Sequence, residues 1–125
     1  LEHVSMAFLV IAPGMAAGRV GQAQPLPRDD SDLVVSHALA GQYLGMKYIY
    51  LEAGSGALEP VPDAIISAVK SATEVILIVG GGIRTPQAAS NAVAAGADII
   101  VTGTLVETSD RLKDDMSLLI KSIHS

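Results

Sequence analysis

The sequence predicts an α/β protein built around a parallel β-sheet. Short apolar segments alternate four times with segments of helical periodicity, and repeated βα units require parallel strands with right-handed crossovers. Half of the 125 residues are hydrophobic and 17% are charged, which favours strands buried on both faces. Two architectures satisfy this order, an open doubly wound sheet and part of a (β/α)8 barrel. Both bind ligands at the carboxyl ends of their strands.

The first βα unit begins with a predicted strand at residues 7–12, followed by an irregular connection over residues 15–30. Acidic residues at the end of that connection are suited to cap a helix over residues 31–44, and Gly45 ends it at the C′ position. The face of this helix expected to be buried contains Leu33, Val34, Ala38, Leu39 and Tyr43.

Three further units repeat the pattern. Their short apolar segments, rich in β-branched residues, predict strands at residues 47–51, 75–79 and 99–102. Each is followed by a predicted helix, and these cover residues 62–72, 85–95 and 109–123. Thr85 and Pro86 are the expected N-cap and first residue of the second of these helices.

Bulk properties exclude several functions. No apolar run approaches the ~20 residues of a membrane span, so no transmembrane segment is expected. A net charge of −5 with 3% aromatic residues argues against a nucleic-acid-binding surface. The absence of cysteine excludes disulfides and thiolate metal sites and fits a cytoplasmic location. The three histidines lack metal-ligand spacing, and the chain begins without methionine, so we expect a piece of a longer protein.

Glycine-rich sequence follows the last three predicted strands, at residues 53–56, 80–82 and 103. A glycine turn between a strand and a helix lets backbone N–H groups approach an anion closely, and phosphate is the commonest ligand at such a turn. The alternative for any one of these turns is a tight βα connection without a ligand. Three of them after consecutive strands favour an anion site.

Glu52 follows a buried strand in a segment that is otherwise small and apolar. It is either a structural carboxylate held by loop amides or a base that faces a ligand. Tyr50 alternates with Glu52, so both side chains are expected on the same side of the strand. Tyr50 can also serve as a filler of a barrel interior. Arg84 can reach the anion or pair with a carboxylate on the helix surface.

These motifs resemble those of a known family. Residues 47–57, Lys-Tyr-Ile-Tyr-Leu-Glu-Ala-Gly-Ser-Gly-Ala, resemble a signature of the geranylgeranylglyceryl phosphate synthase family. Residues 78–86 and 95–104 resemble its next two blocks in order and spacing, and residues 25–29 resemble its loop after the fifth strand. The resemblance implies a modified (β/α)8 barrel, of which residues 1–125 form the C-terminal half with strands five to eight.

The resemblance also implies an activity. The family transfers a geranylgeranyl group from its diphosphate to the C3 hydroxyl of sn-glycerol 1-phosphate, with Mg²⁺ on the diphosphate, and so forms the first ether bond of archaeal membrane lipids. Glu52 would orient or deprotonate the attacking hydroxyl, with Tyr50 beside it as a second catalytic residue. The contacts implied for the glycerol phosphate are Tyr50, Leu51, Glu52, Ala53, Gly54, Ser55, Gly56, Gly81, Gly82, Gly103 and Thr104.

One departure from the family is large. The Mg²⁺-binding aspartate and the prenyl diphosphate contacts of its first strands have no counterpart here, so no metal ligand is expected in this chain. We therefore expect a glycerol phosphate half-site that does not catalyse transfer alone. Half a barrel leaves two edge strands that need a partner, either the other half-barrel or a second copy of the chain. The alternatives are a non-catalytic, self-associating half-barrel and another phosphate-binding barrel enzyme.

Overall fold

Four parallel strands and three helices form the part of the protein described by a computed structural model, which comprises residues 5–12, 25–53 and 57–102. The sheet order is β1-β2-β3-β4. The strands are β1 (Met6–Val10), β2 (Tyr48–Glu52), β3 (Ile76–Gly80) and β4 (Ile99–Val101). The helices are α1 (Ser31–Tyr43), α2 (Asp63–Ala72) and α3 (Pro86–Ala95). The predicted α/β fold with a parallel sheet is confirmed, and the predicted helix at 109–123 lies outside the described residues.

The core lies between the sheet and the three helices. Alternate residues of β2 and β3 point towards the helices, and Ile49, Leu51, Leu77 and Val79 are each 0% exposed. Ile65, Ile66 and Val69 of α2 pack against them as predicted. Burial of these aliphatic side chains is the main favourable contribution to folding.

The opposite face of the sheet is not covered in the same way. Five apolar side chains there are between 38% and 52% exposed, namely Met6, Phe8, Ile76, Ile99 and Val101, whereas Val10 and Ile78 on the same face are 7% and 6% exposed. The expectation that both faces are buried therefore holds only in part for the described residues, because their helices all pack on one side. In the described residues the strands are in sequential order with helices on one face, whereas a complete doubly wound sheet reverses its strand order and carries helices on both faces.

Side-chain caps fix the starts of α1 and α3 where the sequence predicts them. The Asp30 carboxylate accepts a hydrogen bond from the Leu33 N–H at 3.0 Å, and the Thr85 hydroxyl accepts one from the Ala88 N–H at 3.1 Å. These contacts satisfy donors that a helix leaves unpaired at its first turn. Gly45 follows the last turn of α1 with φ of 94°, which is the left-handed conformation expected at C′.

The buried face of α1 differs from the prediction. Val34 and Ala38 are buried as expected, but Tyr43 is 80% exposed and Leu33 is 38% exposed. Gly41 is the third buried residue of this helix, and a Cβ built on it would lie 3.2 Å from the Cβ of Ala7 in β1. Gly41 faces the sheet, and Tyr43 is exposed because it lies two positions further along the helix, about 200° around its axis.

A polar cluster holds the amino-terminal edge of the sheet. The Asp98 carboxylate accepts hydrogen bonds from the Lys70 ammonium at 2.6 Å and from the Leu77 N–H at 2.8 Å. The Asp98 N–H donates in return to the Leu77 carbonyl at 2.8 Å. Partial burial raises the pKa of Asp98, but the Leu77 N–H and the nearby Lys70 charge outweigh this, and the net effect is a lowered pKa. The cluster joins α2, β3 and the start of β4.

Substitution of Asp98→Asn should lower the free energy of unfolding by about 1 kcal/mol at neutral pH, a modest value because both partners are 38% exposed. A carboxyl whose pKa is lowered on folding stabilises the protein fully above its unfolded pKa and loses this effect as the pH falls through its folded pKa. The variant should therefore show a weaker loss of stability on acidification. Urea titrations at neutral and acidic pH measure both effects, with the exposed Asp29→Asn as the control. An equal acid dependence in wild type and Asp98→Asn would contradict the assignment.

Candidate functional site

The carboxyl end of β2 is held by backbone hydrogen bonds on both sides. The Glu52 carbonyl accepts from the Ile11 N–H at 2.8 Å, and the Ala53 N–H donates to the Gly80 carbonyl at 3.0 Å. The parallel register places Val10 and Gly80 directly beside Glu52 on the neighbouring strands. The backbone of Glu52 is thus fixed within the sheet at the edge where ligands of βα folds bind.

Tyr50 and Glu52 project from the less covered face of the sheet, as their alternation predicts, and we call them the tyrosine–glutamate pair. The Tyr50 hydroxyl donates a hydrogen bond to the Glu52 carboxylate. Partial burial, the charge of Glu52 and this hydrogen bond together raise the pKa of Tyr50 to about 12, with burial as the largest cause. The Phe8 ring packs on Tyr50 with ring centroids 5.0 Å apart and planes tilted by 34°.

Gly80 provides the space that the Tyr50 hydroxyl occupies. A Cβ built on Gly80 would lie 2.5 Å from the hydroxyl oxygen and 3.2 Å from the ring carbon that bears it. Gly80 has an ordinary strand conformation, so its backbone does not demand glycine. Glycine is required at this position because the Tyr50 side chain lies over it. Gly80 therefore determines where the tyrosine hydroxyl lies relative to Glu52.

The glycine turn, Gly81 and Gly82, connects β3 to the start of α3. Both residues have positive φ values, 86° and 74°, which residues with a Cβ rarely adopt. A Cβ on Gly82 would also lie 2.5 Å from the Glu59 carbonyl carbon and 2.6 Å from the Pro60 nitrogen. Gly82 is buried against that backbone, whereas Gly81 is half-buried. The turn thus needs glycine for its own packing, which is compatible both with a bound anion and with a tight connection.

The other predicted contact residues divide into two groups. Leu51 and Ala53 are described, and their side chains are 0% exposed in the core, so only their backbone atoms are able to meet a ligand. Five others lie outside the described residues, namely Gly54, Ser55, Gly56, Gly103 and Thr104. Arg84 is exposed just before α3, and both of its predicted roles stay open.

Two residues of this site were missed in the sequence. Phe8 lies opposite Tyr50 in the register of β1 and β2, and the uninterrupted apolar run of β1 contains no signal that assigns Phe8 to this face. Gly80 was grouped with the glycine turn, although its role depends on Tyr50, which lies 30 positions earlier in the chain.

The described residues contain neither a cluster of metal ligands nor a helix that could span a membrane. Residues 5–12, 25–53 and 57–102 contain no group of three or more histidine, aspartate or glutamate side chains arranged to hold a metal ion. Within the same ranges no helix has the length and apolar character needed to cross a bilayer.

Comparison with known proteins gives consistent matches. The PcrB family matches residues 1–123. The geranylgeranylglyceryl phosphate synthase of Pyrococcus furiosus is 51% identical over 114 residues, which cover 91% of this chain and 45% of that protein. The same enzyme of Methanothermobacter thermautotrophicus is 46% identical over 125 residues, which cover 100% of this chain and 51% of that protein.

A solved structure is similar over the same region. The (S)-3-O-geranylgeranylglyceryl phosphate synthase of Thermoplasma acidophilum, in complex with its substrate sn-glycerol-1-phosphate, superposes with a TM-score of 0.95 and 46% identity. The match covers 98% of this chain and 50% of that one. The chain thus spans about half the length of the curated relatives it matches.

Substitution of Gly80→Ala should displace the Tyr50 hydroxyl from Glu52 and lower the pKa of Tyr50 from about 12 towards the usual tyrosine value of about 10. The physical reason is that the phenol loses both its hydrogen-bonded carboxylate and part of its burial. NMR titration of ¹³Cζ-labelled tyrosine measures this pKa, and Tyr50→Phe assigns the signal.

The control for this substitution is Gly45→Ala, where φ is 94° and no atom lies within 4 Å of the added Cβ. Gly45→Ala should destabilise the fold by backbone strain without moving the Tyr50 resonance. A Tyr50 pKa that is unchanged in Gly80→Ala would show that Gly80 does not position the hydroxyl.

Proposed function

Because the chain belongs to the PcrB family, we propose that it carries the glycerol phosphate half of a prenyl-transfer site. The single observation that supports this most is the tyrosine–glutamate pair on the carboxyl edge of the sheet, one strand away from the glycine turn. The whole protein would transfer a geranylgeranyl group to the C3 hydroxyl of sn-glycerol 1-phosphate. The names of the matching relatives and the substrate bound in the Thermoplasma acidophilum structure support this choice.

The tyrosine–glutamate pair suits the alcohol end of that substrate. In the transfer, the C3 oxygen forms a bond to C1 of the prenyl chain, the bond from C1 to the diphosphate breaks, and pyrophosphate leaves with the electron pair. The Glu52 carboxylate would accept the hydroxyl proton, and its hydrogen bond from Tyr50 would hold it towards the substrate. A fixed backbone at Glu52 keeps this geometry without reorganisation.

The glycine turn suits the phosphate end. Gly81 and Gly82 precede the N-terminus of α3, where backbone N–H groups and the helix dipole favour an anion. The proposed contacts are Tyr50, Leu51, Glu52, Ala53, Gly54, Ser55, Gly56, Gly81, Gly82, Gly103 and Thr104, with Leu51 and Ala53 contributing backbone atoms only. A phosphate at the turn and a hydroxyl at Glu52 fit the two ends of one small polyol.

The sheet face opposite the helices, here called the uncovered face, supports a half-barrel. In a (β/α)8 barrel the helices lie outside and the opposite face of each strand is buried in the interior. Here the exposed apolar side chains of Phe8, Ile99 and Val101 lie on the corresponding face. We therefore propose that residues 1–125 are the C-terminal half of a barrel whose other half covers this face and contributes the prenyl diphosphate site.

Mg²⁺ belongs to the diphosphate in this proposal and not to the described residues. Those residues offer no cluster of metal ligands that fits the ion, and the proposed roles of Tyr50, Glu52 and the glycine turn do not depend on Mg²⁺. Its charge would stabilise the leaving pyrophosphate. By the same reasoning, the chain alone would bind glycerol phosphate without transferring a prenyl group.

The uncovered face also favours a second candidate function, that of a half-barrel that self-associates and has no catalytic activity. Exposed apolar area of this kind is reduced when two copies meet, and both edge strands gain partners. A third candidate, another phosphate-binding barrel enzyme, differs in its ligand, and flavin mononucleotide is a suitable probe for it.

Isothermal calorimetry with the purified chain tests the proposed ligand. We expect binding of sn-glycerol 1-phosphate, no binding of flavin mononucleotide, and no prenyl transfer when geranylgeranyl diphosphate and Mg²⁺ are added. Glu52→Gln should weaken binding roughly tenfold, because a charged acceptor for the substrate hydroxyl is lost. Glu59→Gln removes a carboxylate that is 76% exposed on a neighbouring loop and is the matched control. Binding of the flavin alone would favour the third candidate.

Sedimentation velocity tests the second candidate. If two copies meet through the uncovered face, Ile99→Lys should abolish a concentration-dependent dimer, because Ile99 is 44% exposed on that face. Leu58→Lys is the control, since Leu58 is 84% exposed but follows β2 in a loop. A chain that dimerises and binds no glycerol phosphate would support this candidate over the first.

A further inference from the structure

One arginine joins the loops that follow β1 and β2. The Arg28 guanidinium donates a hydrogen bond to the Ala12 carbonyl at 3.1 Å through one nitrogen and another to the Pro60 carbonyl at 2.7 Å through a second. These carbonyls are 16 and 32 positions away in the chain. A planar guanidinium is able to hold two acceptors at a fixed separation, which a lysine ammonium is not.

The first hydrogen bond leads to the tyrosine–glutamate pair. Ala12 follows Ile11, whose N–H donates to the Glu52 carbonyl at 2.8 Å. The segment that carries Arg28 is itself paired with this strand end, since the Leu26 N–H donates to the Val10 carbonyl at 2.7 Å and the Leu26 carbonyl accepts from the Ala12 N–H at 2.8 Å. Arg28 is therefore fixed with respect to the backbone that holds Glu52.

The second hydrogen bond leads to the glycine turn. Pro60 and Glu59 form the backbone against which Gly82 is packed, with its Cβ position 2.5 to 2.6 Å from their atoms. Any shift of the Pro60 carbonyl therefore moves the surface on which the turn rests. Through this contact the position of the turn depends on a side chain from the connection that follows β1.

We propose that Arg28 is a positioning residue that sets the separation between the tyrosine–glutamate pair and the glycine turn. The inference rests on the proposed function, because only a ligand that spans both features needs that separation fixed. Arg28 is 26% exposed, whereas Glu59, its ion-pair partner at 3.5 Å, is 76% exposed. An exposed pair of this length contributes little. The two carbonyl contacts therefore carry the effect, and the charge of Glu59 does not.

The test compares Arg28→Lys with wild type in the purified chain. Lysine keeps the charge but is unable to bridge both carbonyls, so binding of sn-glycerol 1-phosphate should weaken roughly tenfold while the chain stays folded. In Arg28→Ala, added ethylguanidinium should restore part of the affinity, and ethylammonium should not. This selectivity would show that the planar guanidinium, and not its charge alone, is required.

A second measurement does not need the ligand. Amide NMR spectra of Arg28→Lys should show shifted signals for Ile11, Ala53 and Gly82 and unchanged signals for Leu77 at the amino-terminal edge. If wild type fails to bind glycerol phosphate, the proposed function fails, but these amide shifts still decide whether Arg28 joins the two features. Unshifted signals in Arg28→Lys would overturn the inference.

Two controls separate positioning from stability and from charge. Asp98→Asn should lower global stability from the amino-terminal edge of the sheet, and Glu59→Gln removes the exposed ion pair. Both should bind glycerol phosphate as wild type does. If Asp98→Asn weakens binding as much as Arg28→Lys, the effect is one of general stability and the proposal is wrong. If Glu59→Gln does so, the charge pair and not the carbonyl bridge is responsible.

Discussion

The hydrogen bonds that hold the end of β2 between β1 and β3 are the constraint on which the rest of the site depends. The backbones of Glu52 and Ala53 each form a hydrogen bond with a neighbouring strand. The register therefore determines on which face of the sheet each side chain lies. Glu52 then points away from the helices, and Leu51 is buried among them. A shift of one residue in this register would exchange the two and remove the carboxylate from the site.

The sequence predicted the features that are set locally. Alternation in β2 placed Tyr50 and Glu52 on one face, and the caps at Asp30 and Thr85 were recognisable because each depends on residues three positions apart. Features set by distant contacts were not predictable in this way. Tyr43 was placed in the core because the pattern does not reveal where Gly41 meets β1. Gly80 and Arg28 act on residues far along the chain, and their roles became visible only from the geometry.

The two edges of the sheet have different chemistry. At the amino-terminal edge, Asp98 is satisfied by Lys70 and a backbone N–H, and this cluster serves the fold. At the carboxyl edge, the Glu52 carboxylate accepts a hydrogen bond from Tyr50 one strand away from the glycine turn, where Gly81 is half-buried. This division between a stabilising edge and a binding edge is typical of βα architectures. The sheet face opposite the helices is partly exposed in the described residues, and in our account the other half of a barrel covers it.

Amide chemical-shift mapping with sn-glycerol 1-phosphate tests the central claim most directly, because it reports on both parts of the site in one titration. We predict that the signals of Gly81, Gly82 and Glu52 shift together and saturate with one common dissociation constant. Signals at the amino-terminal edge, such as that of Leu77, should stay in place. Shifts confined to the glycine turn would indicate that the turn binds an anion and that Glu52 does not contact the ligand. The absence of shifts at both features would contradict the proposed glycerol phosphate half-site.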